Sequence, residues 1–184
     1  MVTVFKKIDL EKEEELEKAI AEDPGIIEEG LTALMDKIRI EKGQLDVLCI
    51  DNENTLTLID IEIKENDAAL FNALKYYDWM ATNIETVKQL LKNEDIDVTK
   101  TPRLILLAPT FSQSMLKTIK HGMPKLELFE YTYLKTESGE EGIHLEKITK
   151  GKIVKDILLH KESKEDMEQE SMESDADHPV KIRR

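Results

Sequence analysis

Three stretches of this 184-residue chain predict an α/β domain, a mixed central sheet flanked by helices. Residues 103–109, Arg-Leu-Ile-Leu-Leu-Ala-Pro, form a nearly unbroken apolar run of strand length, typical of a strand buried on both faces. Residues 45–50 and 56–64 are two apolar runs joined by Asp51-Asn52-Glu53-Asn54, whose turn chemistry predicts a hairpin. Between these strands, residues 68–92 place Leu70, Leu74, Tyr77, Met80, Ala81, Ile84, Val87 and Leu91 at helical spacing.

The other elements follow in order. Residues 11–21 read as a helix, with Leu16, Ala19 and Ile20 on one stripe and acids crowded into the first turns, where the helix dipole favours them. Pro24-Gly25 ends it, and 26–31 form a connector to a strand over 34–40. Gly43 breaks to the strand at 45–50. Asp67 suits an N-cap for the long helix, which Asn93-Glu94-Asp95 closes. After the buried strand, Thr110 or Ser112 caps a helix to about His121, and 126–134 and 143–148 read as two more strands around Ser138-Gly139-Glu140. Residues 1–160 are therefore assigned to one domain, and 161–184, acidic and poor in branched apolar residues, to a disordered tail.

With 40% hydrophobic and 35% charged residues, the chain reads as globular with a heavily charged surface. No apolar run reaches the length of a membrane span, and residues 1–7 lack the apolar stretch of a signal peptide. The single cysteine, Cys49, lies in an apolar strand as a small hydrophobe, so a reducing, cytoplasmic setting is expected, without a membrane partner. A net charge of −13 argues against simple polyanion binding. The acids concentrate in 1–102, with 24 acidic against 12 basic groups, whereas 103–160 holds 7 against 9. Contact with a polyanion would favour the second segment, and divalent cations in an acidic site would offset repulsion in the first.

The chemistry gathers on the hairpin. Strand alternation predicts Asp60, Glu62 and Lys64 on one face and Ile59, Ile61 and Ile63 on the other. Residues two apart on a strand stand roughly 6–7 Å from each other. Glu62 and the neighbouring-strand Asp46 can then hold a hard cation such as Mg²⁺ or Mn²⁺ while Lys64 reaches a substrate oxygen. That is the arrangement of a metal-dependent phosphodiesterase, in which the cation acidifies water and neutralises phosphoryl charge. An alternating strand with a weak surface pair at Glu62 and Lys64 is the plainer reading of the same text.

The wider text resembles the NucS-type, RecB-like branch of the PD-(D/E)XK nuclease superfamily. Pro24-Gly25-Ile26-Ile27-Glu28-Glu29-Gly30-Leu31 is similar to that branch's Pro-x-x-Ile-Glu-x-Gly-Leu, and Gly43-Gln44-Leu45-Asp46 to its Gly-Arg-Ile-Asp. Ile61-Glu62-Ile63-Lys64 matches the Glu-x-Lys strand, and Asn72 to Trp79 resembles a Gln-x-x-x-Tyr-x-x-Trp helix. The resemblance covers roughly residues 10–135 and implies a restriction-endonuclease-like PD-(D/E)XK core acting on DNA in repair or processing. It implies Asp46 and Glu62 as metal ligands, Lys64 as the catalytic lysine and Glu28 as an additional acid. Asn72 and Tyr76 would line the substrate site, and a homodimer is the assembly such relatives suggest.

Gln44 and Asn72 stand where the branch has arginine and glutamine, so a second reading stays open: a weakly active or inactive nuclease-fold scaffold that binds nucleic acid or a protein. Other chemistries find no text. His121, His144, His160 and His178 lack metal-ligand spacing, Ser112 and Ser114 lack a nucleophile-elbow context, and no Gly-rich phosphate loop occurs. Trp79, Tyr76 and Tyr77 are packing residues first and base-stacking residues second.

Overall fold

The computed structural model describes residues 4–9, 12–40, 43–92, 95–120 and 125–149. Apart from Thr149 these belong to one compact unit, Met1–Ile148. The predicted tail 161–184, and the end of the predicted domain, lie outside the described residues. Seven strands form one mixed sheet in the order β1-β6-β5-β4-β3-β2, with β7 also paired to β6. They are β1 (Phe5–Ile8), β2 (Thr32–Ile40), β3 (Gly43–Ile50), β4 (Leu56–Ile61), β5 (Arg103–Ala108), β6 (Leu126–Thr136) and β7 (Glu141–Lys147). The pairs β4–β5 and β5–β6 are parallel and the others antiparallel. The predicted α/β class with a mixed sheet is what the chain adopts.

Alternation within each strand feeds two cores. Val47, Cys49, Ile59, Ile61, Ile105 and Leu107 pack on one face under helix α1 (Glu13–Glu22), which contributes Leu16 and Ile20. Leu48, Ile50, Leu56, Leu58 and Leu104 pack on the other, under helix α2 (Asp67–Thr82), which contributes Ala73, Tyr76 and Met80. Cys49 is fully buried, and burial pushes its thiol up to about 12, so it is an inert core group.

The long helix, its cap and the N-terminal strand depart from the sequence reading. The predicted single helix over 68–92 is two, α2 and α3 (Ile84–Leu91), separated at Asn83, which leaves helical geometry at φ −113° and ψ 17°. Asn83 Nδ2 donates to the Trp79 carbonyl at 2.7 Å and Thr82 Oγ1 to the Asp78 carbonyl at 2.8 Å. These polar side chains bond back to carbonyls four residues earlier and favour a break. The cap of α2 is Asn66, whose side chain accepts from Ala68 N–H at 3.0 Å, and Asp67 is the first helical residue. The short strand β1 was not predicted, because Phe5-Lys6-Lys7-Ile8 is an exposed sheet edge without an apolar run. Ser112 does cap α4 (Gln113–Lys120), its hydroxyl accepting from Met115 N–H at 3.1 Å. Among the described residues no helix is long and apolar enough to cross a membrane.

Candidate active site

The β3–β4 ladder runs from Ile50↔Leu56 to Val47↔Ile59 and is not continued beyond that pair. There Asp46 replaces it: its Oδ2 accepts the Ile61 backbone N–H at 2.7 Å. On the other side of β3 the β2 register passes from Asp36↔Val47 to Ile38↔Leu45. Lys37, opposite Asp46, is skipped, with a left-handed φ of 49°. The regular pairing is thus interrupted at Asp46 toward both neighbouring strands.

Helix α1 supplies Glu13 and Glu17, one turn apart and beside the Leu16/Ile20 stripe that docks the helix on this face. Carboxylate oxygens of Glu13, Glu17 and Asp46 lie within 4.8 Å of one another, close enough to share a cation. Lys37 Nζ stands 3.1 Å from Glu17 Oε2, yet that buried oxygen receives no directed hydrogen bond. Burial pushes Asp46 up to about 7, assisted by the charges of Glu17, Glu13 and Glu62. Asp60, 6% exposed, is pushed up to about 8 by burial and then by Asp46, Glu62 and Glu13. Glu13 is raised by burial and by Glu17 and Glu62. The charge of Glu62 also raises all three of these carboxyls, although its oxygens are not among those that lie within 4.8 Å of one another.

Glu62 itself lies one residue past β4, which ends at Ile61 and not at Lys64 as predicted. Its backbone N–H donates to Leu107 O at 2.8 Å, continuing the pairing toward β5. Its carbonyl accepts from the buried Tyr131 hydroxyl at 3.0 Å, and Asn66 Nδ2 donates to both of its carboxylate oxygens at 3.1 and 3.0 Å. Lys64 is exposed, in a bend beyond the strand, and Ile63 is only half-buried. The single-face alternation expected of residues 59–64 therefore stops at Ile61, where the chain leaves the sheet for α2.

From α2, Tyr76 is raised by burial and by the charges of Asp60, Asp46 and Glu62. Asn72, half-buried one turn before it, accepts from Lys75 Nζ at 3.5 Å. Gly43 has a φ of +143°, and a Cβ there would stand 2.5 Å from Tyr76 Oη. Gly43→Ala is expected to lower stability by about 1–3 kcal/mol and to displace Tyr76, measured by urea unfolding and tyrosine fluorescence. Urea midpoints equal to those of the native chain would show that the contact is relieved without strain. Trp79 lies away from the acids, in an apolar groove with Ile38, Ile40, Met80 and Leu91, which is the packing role.

Glu28 is not brought to this group. Arg103 holds it with two hydrogen bonds of 2.8 and 2.7 Å and also bonds Asp51 and Glu127. Arg103 pairs with Thr57 at the start of β4, whereas Asp60 and Ile61 pair with Leu106 and Leu107 at the other end. Those positions are about 10 Å apart along the strand. The bond to Arg103 holds the Glu28 carboxyl below its usual range, so its charge is already matched. The helical acids facing Asp46 are Glu13 and Glu17. Sequence reasoning passed over them, although their spacing of four beside an apolar stripe was a visible signal. Asn66 and Lys37 were also missed; only Asn66, a good N-cap residue, carried one.

The family described as the endonuclease NucS C-terminal domain matches residues 12–106, just over half of the chain. Endonuclease NucS of Pyrococcus horikoshii is 25% identical over 125 residues, which are 65% of this chain and 44% of that protein. Among solved structures, a repair endonuclease from Pyrococcus abyssi is similar with a TM-score of 0.47 and 22% identity, over 67% of this chain and 48% of that one. EndoMS in a dsDNA complex gives 0.47 and 19%, over 68% and 47%. The chain spans less than half the length of each of these relatives.

Proposed function

The chain belongs to the endonuclease NucS C-terminal domain family, and from that premise we propose that it is a divalent-metal-dependent endonuclease that hydrolyses phosphodiester bonds in DNA. The observation that carries this reading is the convergence of Asp46, Glu13 and Glu17 where β3 and β4 part, with the charge of Glu62 acting on Asp46. Asp46 and Glu17 are buried, the ionised forms of Asp46 and Asp60 are disfavoured by burial and by their neighbours, and Glu17 Oε2 lacks a hydrogen bond. Lys37 is the cation that approaches Glu17, from a half-exposed position. A hard cation that binds carboxylate oxygen fits this donor set, with Asp46 and Glu62 as the ligands proposed and Glu13 and Glu17 beside them.

When bound, Mg²⁺ or Mn²⁺ supplies an acidified water and neutralises charge on the phosphoryl oxygens. The protein groups prepare that chemistry. Lys64, exposed at the mouth beyond β4, meets the phosphate and offsets charge that builds up on it. Tyr76 and Asn72 are the α2 side chains proposed to line the substrate site, and burial, with the neighbouring carboxylates, disfavours the charged form of Asp60, which limits repulsion within the group.

The test is cleavage of single-stranded, duplex and branched DNA by the full chain with Mn²⁺, beside Glu62→Ala and Lys64→Ala. Loss on the order of 10³-fold is expected for Glu62→Ala and roughly 10²–10³-fold for Lys64→Ala. Cleavage that survives both substitutions sinks the assignment. Intact substrates with measurable DNA binding would instead support the scaffold reading.

A further inference from the structure

We propose that Asn66 is a positioning residue that fixes the Glu62 carboxylate in its ligand orientation, a role that rests on the metal-dependent reading of this site. Its side chain does two things at once. Oδ1 accepts from Ala68 N–H at 3.0 Å and caps α2, while Nδ2 donates to Glu62 Oε1 at 3.1 Å and Oε2 at 3.0 Å. An amide has one accepting and one donating end, so committing the oxygen to the helix N-terminus turns the nitrogen to Glu62.

The residue type is informative. Asparagine, aspartate and serine cap helices about equally well, so the cap alone does not select among them. Aspartate here would set a second carboxylate against Glu62, and serine would cap without reaching it. Asparagine is the one of the three that both accepts from the helix and donates to the acid.

The surroundings give the contact its purpose. The Glu62 main chain is held by Leu107 O and by the Tyr131 hydroxyl, which ties the residue to β5 and β6. Glu62 follows the last residue of β4, so sheet geometry no longer dictates where its side chain points. Asn66 provides that missing constraint and couples the carboxylate to the start of α2, the helix that also carries Asn72 and Tyr76. Groups that orient a metal ligand from outside the coordination sphere typically matter 10–100-fold in affinity or rate.

The experiment compares the full chain with Asn66→Ser, which keeps the cap, and Asn66→Gly, which loses little of it, alongside Glu62→Ala. Mn²⁺ binding is measured by titration calorimetry without DNA, cleavage is measured across Mn²⁺ concentrations, and thermal melting is followed by circular dichroism. Both Asn66 variants are expected to melt close to the native chain. Their Mn²⁺ affinity should weaken about 10–100-fold, with the half-saturating Mn²⁺ for cleavage moving up by a similar factor and KM for DNA unchanged. A purely structural role would instead shift melting and leave the Mn²⁺ midpoint in place.

Native Mn²⁺ affinity in both variants, with Glu62→Ala abolishing binding and cleavage, overturns the positioning role and leaves the site reading standing. Binding and cleavage indifferent to Glu62→Ala overturn the site reading and the positioning role with it.

Discussion

Asp46→Asn should reduce DNA cleavage by about three orders of magnitude and, in chelator at pH 8, make the chain more stable by about 1–3 kcal/mol. The amide oxygen can still accept the Ile61 N–H that Asp46 Oδ2 now accepts at 2.7 Å, so the sheet keeps its hydrogen bond while the charge disappears. The sign follows from linkage. Asp46 is raised to about 7 in the folded chain and Asp60 to about 8, against ordinary values near 4, so the folded state binds protons more tightly than the unfolded one. Their contribution is fully present below the unfolded value and is lost as pH rises through about 7 and 8. Without divalent ions, stability should therefore fall between pH 5 and 9, and Asp46→Asn should flatten part of that fall. Saturating Mn²⁺ should oppose it in the native chain by binding the ionised form. Urea unfolding across that pH range is the measurement, and a flat or rising profile in chelator would contradict the strained-carboxylate picture.

Arg103→Met should cost about 2–4 kcal/mol at pH 7 without touching the candidate active site. The guanidinium is largely buried and holds Glu28, Asp51 and Glu127, with Lys147 adding a 3.0 Å contact to Glu127. Removing it leaves three carboxylates crowded at the start of β5. Glu28 is more exposed than Asp51, so water screens part of its share and the upper end of the range rests on Asp51. Glu28 and Asp51 are held below the usual carboxylate range, so their contribution is present above pH 4 and is lost as pH falls. The difference between the two chains should shrink in acid. A loss under about 0.5 kcal/mol at pH 7 would mean that the network is solvated surface.

What was legible in the sequence was what local chemistry dictates. The apolar run at β5, the turn at Asp51 to Asn54 and the Leu16/Ile20 stripe each specify an element without outside help. Asp46 and Glu62 stood out as candidates because the hairpin the sequence predicts puts their strands side by side, and in the structure β3 and β4 do pair. Two kinds of feature were not legible. The end of β4 at Ile61 depends on Asp46, fifteen residues earlier, taking the place of the ladder. The choice between Glu28 and the pair Glu13/Glu17 depends on Arg103, which claims Glu28 from 75 positions away. A one-dimensional motif match cannot register either competition. The Asn83 break was legible in principle, since Thr82-Asn83 is poor helix text, but the apolar spacing on either side outweighed it.

The break in pairing at Asp46 bears on what drift would do to the proposed activity. On the proposed reading Asp46 would serve the fold as well as the chemistry, because an Ile61 N–H depends on it, so drift would preserve an acceptor at this position even in an inactive descendant. Glu17 has the opposite character. Its buried carboxylate is matched by the half-exposed Lys37 ammonium at 3.1 Å, and a buried ion pair of this kind adds little to stability compared with apolar packing. Selection for stability alone would exchange it for an apolar residue. If the proposed function holds, persistence of Glu17 across descendants of this chain is therefore a sharper mark of it than persistence of the aspartate beside it.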